Sequence, residues 1–192
     1  MKTIQRRILV AIFMLTTFIN FANTDLKNVL DANKVTVVFN SAKKGHQLSI
    51  RNDRGAVLHS ENVKQQGKLV KTFDFSKLEN GNYTLELEKD FEIVIKTIKV
   101  ENNTVIFNED INKIIFKPFI RNEKNKVMIT RITFDKMPLK VDLYYNEEII
   151  YSETANSDTI LNKVYRLDKE LKGNYKVIVR NNGRSYINEF KL

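Results

Sequence analysis

From residue 34 onward the chain alternates apolar and polar positions with a period of two. Tyr83, Leu85 and Leu87 fall on one face of an extended segment, and Thr84, Glu86 and Glu88 on the other. Leu139, Val141, Leu143 and Tyr145 alternate in the same way with Lys140, Asp142 and Tyr144, and Phe73 and Phe75 with Thr72 and Asp74. Successive side chains of a strand point to opposite faces, so this pattern predicts antiparallel strands covered on one side. Turn residues separate the runs at Asn52-Asp53-Arg54-Gly55, Asn80-Gly81-Asn82 and Asn181-Asn182-Gly183, the last predicting a hairpin. No long stretch has the 3.6-residue period of an amphipathic helix.

The pattern recurs. Lys34-Val35-Thr36-Val37 aligns with Lys126-Val127-Met128-Ile129, and Gly81-Asn82-Tyr83 with Gly173-Asn174-Tyr175, both at an offset of 92. Between these anchors Phe73 falls on Tyr165 and Phe75 on Leu167. A unit of about 80 residues with some seven short strands has the size of an immunoglobulin-like sandwich. The fold expected is all-β, with two tandem immunoglobulin-like antiparallel β-sandwiches over 34–109 and 110–192. The boundary is placed near Asn108–Asn112, where Asn-Glu-Asp-Ile-Asn interrupts the apolar pattern. Gly81 and Gly173 are expected to adopt a turn conformation that other residues resist. Tyr83 and Tyr175 should then begin central strands, each with its ring in the core and its hydroxyl at the rim.

The first 22 residues read differently. Lys2, Arg6 and Arg7 precede an apolar run from Ile8 to Ala22 broken only by Thr16, Thr17 and Asn20. Cations, a short apolar core and a small residue in that order make 1–22 a signal peptide with cleavage at Ala22. The run falls short of the ~20 apolar residues that span hydrocarbon. Residues 23–33 form a linker, and no membrane span is expected in the mature chain. Every acidic residue lies beyond the leader, leaving 29 basic against 23 acidic side chains, a net of +6. With 23 Lys, 22 Asn and 20 Ile the composition reflects codon bias more than a basic surface. Lys and Glu are interspersed, which argues against nucleic acid as a partner.

The candidate chemistry is sparse. There is no Cys, so no disulfide, thiol nucleophile or Cys-type zinc site. His46, beside Gly45 in a turn, and His59, on the face of Val57 and Glu61, are the only imidazoles. Both read as surface or rim residues at no ligand spacing, and no metal or cofactor is expected. Asn52-Asp53 and Asn108-Glu109-Asp110 lack the carboxylate spacing of a calcium loop. No Gly-x-Ser-x-Gly is present, and His59 and Ser60, adjacent on a strand, face opposite ways. No catalytic residues are assigned, and the chain is not expected to be an enzyme.

Residues 48–58 and 73–85, with Phe73-Asp74-Phe75-Ser76-Lys77-Leu78-Glu79-Asn80-Gly81-Asn82-Tyr83 at their centre, resemble the sandwich modules of small secreted Bacteroidetes proteins. These include the DUF3244-type domain and the C-terminal sorting domains of type IX secretion. For 126–192 the resemblance rests on Leu167-Asp168 and Gly173-Asn174-Tyr175. It implies a secreted, periplasmic or cell-surface protein, a non-catalytic binding or structural module whose partner is a protein or glycan at the cell surface. The alternative it implies is a secretion-associated role with the C-terminal unit as the sorting or docking domain. Asp158-Thr159-Ile160 resembles the short sequence at which exported proteins of that lineage are O-glycosylated, but a three-residue match is common by chance and an ordinary loop is the expected reading.

Export with cleavage at Ala22 predicts a secreted form whose mass and first residue correspond to a start at Asn23. Intact-mass measurement and N-terminal sequencing of the secreted protein check this. A membrane-bound product that retains Met1–Ala22 would overturn it.

Overall fold

A computed structural model describes residues 33–102, 104–134, 137–156 and 159–192. The expected signal peptide with Ala22, most of the linker, and Asp158 lie outside the described residues. Fourteen strands account for the described chain, with no helix among them. The chain divides into two compact units, 1–114 and 115–192.

In the first unit β1 (Lys34–Ala42) pairs with β4 (Gly67–Asp74) as one sheet. The second sheet has the order β3-β2-β5-β6-β7, formed by β2 (Gln47–Asn52), β3 (Val57–Asn62), β5 (Gly81–Glu88), β6 (Glu92–Glu101) and β7 (Thr104–Phe116). Val35, Val37, Phe39 and Phe73 from the first sheet meet Leu48, Ile50, Leu85, Leu87 and Ile98 from the second in a single buried cluster. Two antiparallel sheets sharing one apolar layer make a β-sandwich. The other face of the larger sheet is not uniformly open, because Ser49, Glu86, Ile93 and Ile95 are also buried.

The second unit repeats six of these strands, but its smaller sheet has three strands where the first has two and its larger sheet four where the first has five. β8 (Phe119–Glu123), β9 (Lys126–Ile132) and β12 (Ile160–Arg166) form one sheet in the order β12-β9-β8. β10 (Leu139–Tyr145), β11 (Glu148–Ala155), β13 (Asn174–Asn181) and β14 (Arg184–Lys191) form the other, β11-β10-β13-β14. Val127, Ile129, Leu139, Val141, Leu143, Leu161, Tyr175, Val177 and Val179 fill its core.

The correspondence extends to register. Val35 pairs with Phe73 and, 92 residues on, Val127 with Tyr165. The Phe75 amide donates to the Asn33 carbonyl and the Leu167 amide to that of Asn125, both at 2.8 Å. Register shifts also occur at matching places, between Ile50 and Arg51 against β3 and between Leu143 and Tyr144 against β11. The first shift pairs Val57 with Arg51, so Val57 leaves the face that His59 shares with Ile50. A bulge of this kind is invisible to a strict period-two reading.

Tyr83 and Tyr175 are both buried, and each hydroxyl donates to the carbonyl four residues earlier, Glu79 and Leu171, at 2.8 Å. This is the tyrosine-corner arrangement of sandwich folds. The glycines before them need a different account from the expected one. Neither Gly81 nor Gly173 has a positive φ; Gly45, Gly55, Gly67 and Gly183 do. At Gly173 the constraint is space, since an added Cβ would lie 2.7 Å from Tyr145 Cε2 and 3.0 Å from Asn146 Oδ1. At Gly81 the nearest atoms are 3.9 and 4.0 Å away, both from Tyr83.

The boundary differs as well. Asn108–Asn112 does not interrupt the structure but continues as β7, and the units divide within that strand between Ile114 and Ile115. Polar residues there mimic a linker because the alternation lapses, although the backbone stays extended.

Two predictions follow from this packing. Gly173→Ala forces the Tyr145 ring off its 5.0 Å contact with Tyr175 and should lower stability by about 1–3 kcal/mol, whereas Gly81→Ala should change it little. Tyr83→Phe and Tyr175→Phe should each lose about 0.5–1.5 kcal/mol, the value of one hydroxyl hydrogen bond. Denaturant titration of the four variants measures both effects.

Candidate functional site

Among the described residues no group of three or more His, Asp or Glu gathers where it could hold a metal ion, and no helix is long and apolar enough to cross a membrane. His46 and His59 stand apart in role. His46 is 6% exposed, not at the rim. Its Nδ1 accepts the Lys43 amide at 3.1 Å, and its Nε2 lies 3.5 Å from Asp90 Oδ1. Lys43 Nζ reaches the other Asp90 oxygen at 3.1 Å, and that bond holds the Asp90 carboxyl below its usual range. Nδ1 thereby closes the turn between β1 and β2, and Nε2 faces Asp90 of the turn between β5 and β6. His59 sets its ring edge against Phe73, 6.0 Å between centroids.

His59 belongs to a repeated constellation at the open side of each sandwich. In the first unit Glu61 on β3 pairs with Lys71 on β4 at 2.9 Å. In the second Glu153 on β11 pairs with Lys163 on β12 at 3.1 Å. Both pairs join the edge strands of opposite sheets, and rings at matching positions cover them: His59 on Phe73, and Tyr151 on Tyr165 at 5.7 Å. The second copy carries two extra bonds to Glu153, from the Tyr151 hydroxyl at 3.3 Å and, more closely, from the Tyr165 hydroxyl. The Tyr165 bond, with Lys163, holds the Glu153 carboxyl below its ordinary value despite partial burial. Burial and the same carboxylate push the Tyr165 phenol well up. The pattern is that of a structural clasp: each carboxylate is engaged by a lysine of the facing sheet.

Four charged side chains buried among the described residues, Glu86, Lys96, Arg131 and Asp142, were not foreseen from sequence. Lys96 is 3% exposed and lies on the core face of β6 opposite Leu85, its Nζ 5.7 Å from the Phe39 ring and 5.9 Å from that of Phe107. Asp142 sits at an outward position of β10. Burial pushes its carboxyl up, but bonds from Ser152 and Arg180 outweigh that and leave it below the usual range.

The surface feature with the clearest contrast between units is the outer face of the β12-β9-β8 sheet. Ile160 faces Ile132 and Val164 faces Met128 across the strands, with Phe119 beside Thr130. Ile160 is 60% and Val164 59% exposed. The positions 92 residues earlier are Lys68, Asn40, Thr72 and Thr36, with Thr36 and Thr72 hydrogen-bonded at 2.8 Å. At these positions one unit is polar and the other apolar, while the pair between them is reversed, Val38 with Val70 in the first unit and the hydrogen-bonded Thr130 and Asn162 in the second.

Residues 31–101 match the family model described as the secretion system C-terminal sorting domain. The match spans β1 to β6 of the first unit, whereas the sorting role expected from sequence falls in the second. No curated protein matches the chain. Among solved structures, the human OSCAR ligand-binding domain aligns at 7% identity with a TM-score of 0.24, covering 84% of this chain and 90% of its own. Extracellular domains 3–5 of Drosophila OTK align at 11% identity with a TM-score of 0.26, covering 83% and 91%. At such TM-scores neither likeness bears on function.

The depressed Glu153 carboxyl stabilises the folded second unit at all pH values above its unfolded pKa of about 4.3, and that contribution is lost as pH falls through the lower folded value. Tyr165→Phe, which installs the ring type found at Phe73, should remove about 1–2 kcal/mol at pH 7 and almost nothing at pH 2. Melts of the variant and the wild type at the two pH values measure the difference.

Proposed function

We propose that the chain is an exported protein which engages the type IX secretion machinery through its first sandwich and acts outside the cell without catalysis. The observation that carries this reading is the match of residues 31–101 to the secretion sorting domain. The second unit supports it by sharing strand order, register, tyrosine anchor and inter-sheet ion pair with the first. A non-catalytic role accords with carboxylates committed to Lys and Arg partners and with imidazoles committed to turn and packing contacts. The exposed apolar face around Ile160 and Val164 suits contact with a protein at the cell surface, since patches of this kind mark interaction sites.

Expression of the full chain in a host with an intact type IX system should place it on the cell exterior, accessible to added protease. In the same host lacking that system it should be retained in the periplasm. Equal surface delivery in both strains would remove the secretion reading while leaving the non-catalytic surface role open.

A further inference from the structure

Apolar and charged side chains share the outer face of the β12-β9-β8 sheet in a defined order. Cross-strand partners lie on the same face, so the register sets them out in rows. Ile132 faces Ile160 in the first row. Thr130 lies between Asn162 and Phe119 in the second, and Met128 between Val164 and Arg121 in the third. Lys126 lies between Arg166 and Glu123 in the fourth. One end is therefore apolar, with Ile132 43% and Phe119 49% exposed beside Ile160, and the other end is cationic.

The cationic end is not what the fold itself asks for. Like charges directly opposed on neighbouring strands destabilise a sheet, yet Lys126 is the partner of Arg166. The positions 92 residues earlier are Lys34 and Asp74, an opposite-charge pair at the same place in the ladder. Arg121, one row along, adds a third cation, and all three are exposed. Elsewhere in this unit Lys163, Lys176 and Arg180 each reach a carboxylate. Among the described residues no carboxylate forms an ion pair with Arg121, Lys126 or Arg166, although Glu123 is the ladder partner of Lys126. Size limits what can cover the face. From Ile132 to Lys126 it is about 20 Å long, and its three strands make it about 10 Å wide. A standard protein–protein interface covers about 800 Å² on each partner, so this face accommodates one segment of chain and not a second folded domain.

We propose that this face receives an acidic segment of a partner protein, with apolar side chains over Ile132, Ile160 and Phe119 and carboxylates against Arg121, Lys126 and Arg166. This partner chemistry rests on the reading of the face as a contact surface for a protein and is independent of the secretion route. Each end supplies one component. Covering the apolar end removes its side chains from water. At the other end the guanidinium groups offer carboxylates paired hydrogen bonds, and a negative charge between Lys126 and Arg166 offsets their opposition. A basic segment is repelled by the same three cations. Because the apolar and cationic ends are separated along β9, a segment with one apolar and one acidic half lies on the face in one direction only.

The probe is a fluorescently labelled random copolymer of Glu and Leu, titrated with the purified full chain. Anisotropy should show saturable binding that weakens as salt rises from about 50 to about 500 mM and screens the cationic end. Poly-Glu, which lacks apolar side chains, should bind about fivefold more weakly, and a Lys–Leu copolymer not at all. Arg166→Asp sets opposite charges across β9 and β12, as at Lys34 and Asp74, so it should melt no lower than the wild type while losing about fivefold or more in affinity. Lys68→Glu makes the same change of net charge in the first unit and should leave binding intact. Ile160→Thr, which changes no charge, should weaken it. Equal binding by the wild type, Arg166→Asp and Ile160→Thr, an equal loss in Lys68→Glu, or poly-Glu held as tightly as the Glu–Leu copolymer overturns the proposal. So does tighter capture by phosphatidylglycerol vesicles, which would assign the face to a lipid surface. If Arg166→Asp unfolds the second unit, Ile160→Thr and Lys68→Glu decide. These readouts need no secretion system, so their failure is distinct from equal surface delivery in strains with and without type IX secretion.

Discussion

The hydrogen bond from a tyrosine hydroxyl to the carbonyl four residues earlier is the constraint on which each sandwich turns. It is made by Tyr83 to Glu79 and by Tyr175 to Leu171 at the same length. Its effect is to fix the incoming loop against the first residues of β5 and β13, the strands at the centre of the larger sheets. Once those strands are placed, period-two geometry decides which side chains enter the core, and a slip of one residue would turn Leu85, Leu87, Val177 and Val179 outward. Burial, more than any neighbour, raises the pKa of both phenols above its ordinary value. Ring and hydroxyl thus serve packing and direction together.

Much of this was legible in the sequence. The core residues Phe73, Phe75, Leu85, Leu87, Val141 and Leu143 follow from alternation alone, and the offset of 92 marks the strands that correspond in order and register. What escaped had physical reasons. The bulges beside Ile50 and Leu143 shift register without leaving a compositional mark. Lys96 occupies a core position that its charge argues against; two aromatic faces accept the ammonium. His46 lies in a turn yet is buried, with its carbonyl bonded to the Val63 amide and its ring facing Asp90 of a different turn. The glycines before the tyrosines were read through backbone freedom, whereas Gly173 is needed for the volume of the Tyr145 ring. Asn108–Asn112 reads as a linker because strand propensity is a statement about side-chain surroundings more than about the backbone.

Two units on one plan also provide an internal comparison. The inter-sheet ion pair appears in both, with the aromatic cover changed from His59 and Phe73 to Tyr151 and Tyr165. What both copies keep belongs to the fold. What they do not keep among the described residues, the apolar pairs at Ile160 and Val164, the strand β7 beside β6 and the strand β8 beside β9, is where they have diverged. The candidate site could be found only this way, since scattered exposed Ile and Val in a sequence rich in both carry no signal of their own.

The pairing of β1 with β4 has a consequence in time as well as in space. Lys34 and Asp74 are partners although both β2 and β3 lie between them in the chain, while β2–β3, β5–β6 and β13–β14 are formed by neighbours in sequence. Closing the longer loop carries the larger entropy loss, so local hairpins of the broad sheets should assemble early and the narrow sheet late. A chain emerging on the far side of a membrane would therefore pass through an interval in which Phe39 and Phe73 are still uncovered. With no cysteine to be oxidised, the length of that interval is set by strand encounter alone.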